Sequence, residues 1–182
     1  MTIVYCKEWG VYFKKPHEII TEEEARIRYD NNEPYVAVLY INNAIKYVIE
    51  IDHVSETVRF YDDELNNYMI YGFIKKNSEK MFLNMVYHYK FENGIEKEDI
   101  SFNFKENGEM YAEKNNLIDN FIETSEGIVD VSPNWEYIPD FGEYDSVIRS
   151  DRWYNKLFII LKFKNLDFYV FLSFNQLLWK FN

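Results

Sequence analysis

Two Asn-Gly pairs, Asn93-Gly94 and Asn107-Gly108, each stand between runs that alternate apolar and polar residues. Asn-Gly tolerates the left-handed backbone of a tight hairpin turn, and a period of two places one face of a strand in the core. Before the first turn, Tyr87, Tyr89 and Phe91 alternate with Val86, His88 and Lys90 within residues 81–91. Between the turns Ile100, Phe102 and Phe104 alternate with Ser101, Asn103 and Lys105, and residues 110–112 follow the second turn. Antiparallel pairing is what a chain with this pattern must satisfy.

The same grammar extends upstream. Residues 35–41, 47–51, 57–61 and 68–74 are β-branched and aromatic, and Asn42-Asn43, Asp62-Asp63-Glu64 and Asn77-Ser78 punctuate them. The 16 Tyr, 15 Phe and 4 Trp point the same way, because aromatic rings favour strands and fill thick cores. Thr21-Glu22-Glu23-Glu24 predicts a helix running to about Tyr29, with Thr21 as its cap, Glu24 at the capping-box position and Ile27 facing inward. Residues 117–122 suit a short helix or a strand, and 128–131 suit a strand. Pro133 and Pro139 prevent a continuous helix between them. Residues 144–153 predict a short helix bearing Arg149 and Arg152. The chain then closes with an apolar hairpin (156–163, a turn at 164–166, 167–174) expected to be buried on both faces. The expected class is α+β: mainly an antiparallel meander of about 8–10 strands with one or two short helices. One domain over 1–182 is expected, with 1–114 and 115–182 as a possible subdivision.

Charge is distributed unevenly. Residues 109–145 carry ten acids and one base, a net −9 of the chain's −11, while residues 146–182 carry six bases and two acids, a net +4. Acidic middle and basic tail can pair within the fold. The overall balance argues against nucleic acid or an anionic membrane as a partner, since phosphates require basic patches. Lone Cys6 forms no intramolecular disulfide and suits a small buried strand position, and the first residues lack a signal-peptide pattern. No stretch reaches the roughly 20 apolar residues of a spanning helix. Cytoplasmic residence is the expectation.

No pattern names a reaction. His17, His53 and His88 have no metal-site spacing, Asp52-His53 on a strand would point to opposite faces, and no nucleophile signature or phosphate loop is present. Acidic groups at Asp62-Asp63-Glu64 and at Glu96, Glu98 and Asp99 suit solvated turns. Neither a catalytic residue, a cofactor nor a metal is expected. The distinctive stretch is residues 132–145, where Glu136, Asp140, Glu143 and Asp145 interleave with Trp135, Tyr137, Phe141 and Tyr144. Carboxylates steer a basic partner and rigid rings supply contact area. Partner binding is therefore expected at Trp135, Glu136, Tyr137, Asp140, Glu143, Tyr144 and Asp145, with the rings alternatively anchoring a loop whose acids face water.

Phe60-Tyr61-Asp62-Asp63-Glu64, Lys80-Met81-Phe82-Leu83-Asn84-Met85 and the string from Val131 to Gly142 resemble bacterial immunity-type proteins, which neutralise polymorphic or contact-dependent toxins. The resemblance covers residues 35–145 and carries no catalytic motif. It implies binding rather than turnover, with a basic toxin domain as partner and inhibition by occlusion. The competing expectation is a ligand-binding or enzymatic β-rich domain with an aromatic-lined pocket.

Overall fold

The computed structural model describes residues 1–150, 152, 159–162 and 171–172. Among them thirteen strands form one open, antiparallel sheet. Its centre is a meander in which each strand pairs with its neighbour in sequence: β3 (Tyr35–Ile41), β4 (Ala44–Ile51), β5 (Ser55–Tyr61), β6 (Asn67–Lys75), β7 (Lys80–Glu92), β8 (Ile95–Phe104), β9 (Glu109–Asn116) and β10 (Phe121–Ile128). The hairpin of β1 (Thr2–Gly10) and β2 (Lys15–Ile20) joins at β3 through β1. At the opposite end β12 (Ile159–Lys162) pairs with β10, and β13 (Phe171–Leu172) lies beyond it. A three-residue strand, β11 (Trp135–Tyr137), sits off this path against β7. Among the described residues helix is confined to α1 (Glu22–Asp30), α2 (Asp145–Ile148) and a 3₁₀ turn over Ser132–Asn134. The mainly antiparallel expectation holds, with more strands than expected.

The turns differ from one another. Asn42-Asn43 and Asn93-Gly94 both have positive φ at the two central positions (51° and 63°; 53° and 71°), the mirror-image geometry that matches strand twist. Asn107-Gly108 does not repeat the device. Only Gly108 has positive φ, the Gly108 N–H donates to the Lys105 carbonyl at 3.0 Å, and Lys105 faces Glu109 across a three-residue loop. A β-carbon on Gly108 would stand 2.7 Å from the Val129 carbonyl oxygen, whereas one on Gly94 would meet nothing within 4 Å.

Register explains the core. One row of partners crosses eight strands through Tyr5, Ala37, Ile49, Val58, Tyr71, Val86, Phe102 and Ala112, and all eight residues are buried. Aromatic edges fill the space around it: Phe60 and Tyr71 pack at 4.8 Å and 67°, Tyr71 and Phe73 at 6.2 Å and 82°. The opposite face buries a smaller cluster of Cys6, Trp9, Val36, Val38, Ile45, Val48 and Tyr61. There the Trp9 indole N–H donates to the Tyr61 hydroxyl at 2.9 Å, and the two rings meet edge to face at 5.9 Å. Burial pushes the Cys6 thiol up to about 11, so it stays protonated and behaves as a small apolar side chain.

Helix α1 starts as predicted, the Thr21 hydroxyl accepting from the Glu24 N–H at 3.1 Å. Its inward face is different: Ala25 is buried and Ile27 is 54% exposed. Ala25 and half-buried Tyr29, one turn apart, form the docking stripe, because a small residue lets the helix approach the sheet closely. Residues 117–120 form the turn between β9 and β10, so the ambiguous 117–122 stretch is a hairpin rather than a helix. The strand expected at 128–131 ends at Ile128. Val129 and Val131 are buried but leave the sheet. The terminal hairpin is present as paired Ile159–Leu172 and Ile160–Phe171. Its turn and the burial of its faces lie outside the described residues.

One carboxylate breaks the apolar pattern. Glu56 in β5 is 2% exposed; its Oε1 lies 3.6 Å from the Lys75 ammonium and its Oε2 has no partner. Burial pushes this carboxyl up to about 7 against the opposing pull of Lys75.

Two measurements follow from these positions. Gly94→Ala is expected to cost about 1 kcal/mol from its positive φ alone, and Gly108→Ala about 3 kcal/mol or more because the methyl meets backbone, as read by urea denaturation. The folded state holds a proton on Glu56 that the unfolded chain releases, so its contribution is present at low pH and lost as pH rises from about 4.5 to about 7. Relative to Glu56→Gln, the wild type should lose up to about 3 kcal/mol across that window; parallel stability–pH curves for the two proteins would contradict this.

Candidate functional site

Residues 129–150, with Arg152 beyond them, form a strap across the aromatic face of the sheet. It leaves β10 with the Val129 N–H bonded to the Gly108 carbonyl at 2.9 Å. The 3₁₀ turn then places buried Asn134, whose amide donates to the Leu83 carbonyl at 2.7 Å. Strand β8 pairs with β7 only along Met85 to Glu92, which leaves Lys80, Met81 and Phe82 open at that edge. β11 occupies it, and Trp135 packs on Phe82 at 5.0 Å.

Beyond Pro139 the strap turns into the core at Phe141. That ring stacks on Tyr5 (5.1 Å, 20°) and meets Tyr29 and Tyr35 at 5.8 and 6.1 Å. Gly142, at φ 85°, supplies the left-handed bend that allows it. Tyr144 is 1% exposed, with its hydroxyl 3.2 Å from that of Tyr35, and burial raises both phenols well above their ordinary value. The predicted helix is a single turn, α2, and Arg149 and Arg152 lie just beyond it.

The two arginines return to the strap. Both donate to Glu136 Oε2, Arg149 at 3.2 Å and Arg152 at 2.8 Å. Arg152 is buried, lies over the Phe73 ring at 5.3 Å, and donates also to the Pro133 and Ser146 carbonyls. Among the described residues this pairing of acidic middle with basic tail is concentrated at one carboxylate.

The remaining acids of this stretch face outward. Asp140, Glu143 and Asp145 are exposed and make no ion pair among the described residues. The first turn of α1 stands beside them. Arg26 lies over the Phe141 ring at 4.4 Å, and Glu22 acts on Tyr5, the ring stacked beneath Phe141. Exposed Glu22 therefore stands near the acidic rim. The run Thr21-Glu22-Glu23-Glu24 carried that signal but reads from sequence only as a helix start.

The seven expected contact residues thus divide. Asp140, Glu143 and Asp145 share one exposed rim. Tyr137 is 63% exposed, with Lys80 over its ring at 5.3 Å. Trp135 is half-buried, Glu136 is 13% exposed within its ion pairs, and Tyr144 is inside the core, out of a partner's reach.

Elsewhere, Asp52 and His53 lie past the end of β4, in the turn before β5. The Asp52 carboxylate contacts both the His53 backbone N–H and its imidazole, so the opposite-faces expectation fails because no strand spans the pair. Burial lowers the His88 pKa. Among the described residues no group of three or more His, Cys, Asp and Glu side chains could hold a metal ion, and no helix is long and apolar enough to cross a membrane. Comparison with protein-family models, curated proteins and solved structures finds no match.

Arg152→Ala is expected to destabilise the fold by about 3 kcal/mol, because it removes the buried and closer partner of a mostly buried Glu136 carboxylate and leaves it only the exposed Arg149. Arg149→Ala, at an exposed side chain, should cost less than about 1 kcal/mol. Chemical denaturation of the two variants compares them directly; equal costs would mean that the strap does not depend on Arg152.

Proposed function

We propose that the chain is a binding module for a basic protein partner, of the immunity type, and that it works by occluding a cationic surface. The observation that carries this reading is the division of the strap's charges. Glu136 is neutralised from within by two arginines, while Asp140, Glu143 and Asp145 stay exposed and unpaired among the described residues on a base of packed rings. Carboxylates held on a rigid base need little ordering on binding, and unpaired like charges attract an oppositely charged surface over the Debye length.

The helices belong to the same proposal. α1 contributes Glu22 and α2 carries Asp145, which gives the α+β class a working meaning. Occlusion would place partner lysines and arginines against this rim, with Tyr137 as the exposed ring at its margin. Cytoplasmic residence is part of the reading and is supported by a single, reduced, buried cysteine.

A tagged chain used as bait identifies the partner by mass spectrometry, and stopped-flow association then tests the rim. The triple variant D140N/E143Q/D145N is expected to associate about tenfold more slowly at low salt, with a flatter salt dependence and unchanged thermal stability. An association rate equal to wild type would remove the rim from the interface.

A further inference from the structure

The β1–β2 hairpin ends in a tip that the acidic rim does not involve. Val11, Tyr12 and Phe13 are consecutive and 46%, 97% and 72% exposed. Lys14, at φ 48°, and exposed Lys15 follow directly, and the Lys15 ammonium lies over the Phe13 ring at 5.4 Å. The tip is held on a firm base. Trp9 is buried and bonded to Tyr61, Gly10 packs closely against His17 and the Lys15 carbonyl, and Lys7 is neutralised by Glu18 at 2.7 Å. No acid occurs between Glu8 and Glu18, so Lys14 and Lys15 give the tip a local positive charge.

Exposed consecutive apolar side chains on a rigid turn mark a contact surface. A turn splays its side chains in several directions, whereas a protein groove takes a stripe from one face. The boundary between headgroups and acyl chains has no fixed shape, and Tyr, Phe and Lys are residues that favour it. We propose that this tip is a peripheral membrane contact: Tyr12 and Phe13 enter the interface of a bilayer, and Lys14 and Lys15 meet anionic headgroups. The net charge of −11 opposes approach of the molecule as a whole. Most of that charge lies in the acidic segment, which is remote from the tip, because Tyr5, which touches the strap, lies five strand residues before Gly10. At about 3.3 Å per residue the tip stands roughly 20 Å from the strap, more than two Debye lengths of about 8 Å.

Co-flotation of the full chain with large unilamellar vesicles tests this. Phosphatidylcholine vesicles are compared with vesicles containing about 30% phosphatidylserine. Wild type is expected to bind the phosphatidylserine vesicles about tenfold more than phosphatidylcholine alone. Y12S/F13S should fall to background on both. K14Q/K15Q should lose the phosphatidylserine preference, and both variants should keep the wild-type melting temperature. Absence of wild-type binding to the anionic vesicles, or Y12S/F13S binding as wild type does, overturns the proposal. So does a concentration-dependent dimer in sedimentation that Y12S/F13S abolishes without any vesicle binding, which would assign the tip to a second copy of the chain.

Discussion

An antiparallel sheet with a largely apolar face must have that face covered, and here α1 shares the cover with one segment fastened at Glu136. The row from Tyr5 to Ala112 presents buried side chains across eight strands, more than the nine-residue α1 can cover. The strap supplies the rest through Val129, Val131, Phe141, Tyr144 and Val147. Arg152 fastens its far end by lying on Phe73 of the sheet while bonding Glu136 of the strap. A guanidinium suits this position because its flat face stacks on a ring while its edge donates in several directions.

That fastening also decides the electrostatics. An unpaired carboxylate in the interior is costly, so the acid nearest the sheet, Glu136, carries the arginines. Acids at the outer turns remain hydrated and can stay unpaired. Among the described residues the strap therefore separates its charges by depth: paired next to the sheet, unpaired at the rim. Glu56 shows the cost of the other arrangement, with one oxygen facing Lys75, the other without a partner and a carboxyl that holds its proton to about pH 7.

The fold was legible wherever a local rule acts alone. Asn93-Gly94 announces a hairpin because the turn geometry depends on two residues, and Thr21 announces a helix because its cap is bonded three residues away. Legibility failed where identical local signals meet different surroundings. Asn107-Gly108 looks the same as Asn93-Gly94 but forms a three-residue loop, since Val129 crosses beside it. Ile27 looks like the helix's buried residue, yet the space beneath α1 admits only Ala25 and the Tyr29 ring. In the candidate site Tyr137 and Tyr144 are the same residue type seven positions apart. One lies at the surface because β11 holds an edge, and the other in the core because Gly142 turns the chain inward.

By itself the sequence determined the antiparallel meander, the start of α1, the burial of Cys6 and the concentration of acids in residues 109–145. These follow from period-two alternation, turn chemistry, capping and composition, all of which act over a few residues. Only the tertiary structure decided which acid is taken up by Arg149 and Arg152, which rings lie beneath the rim, and that Glu22 stands near it. The rings beneath the rim depend on contacts between residues more than a hundred positions apart, as Tyr5 and Tyr35 are from Phe141, and the Glu136 ion pairs depend on a reversal of the chain 13 and 16 positions on. No local pattern encodes such a pairing, because it is set by which surfaces remain uncovered once the sheet has formed.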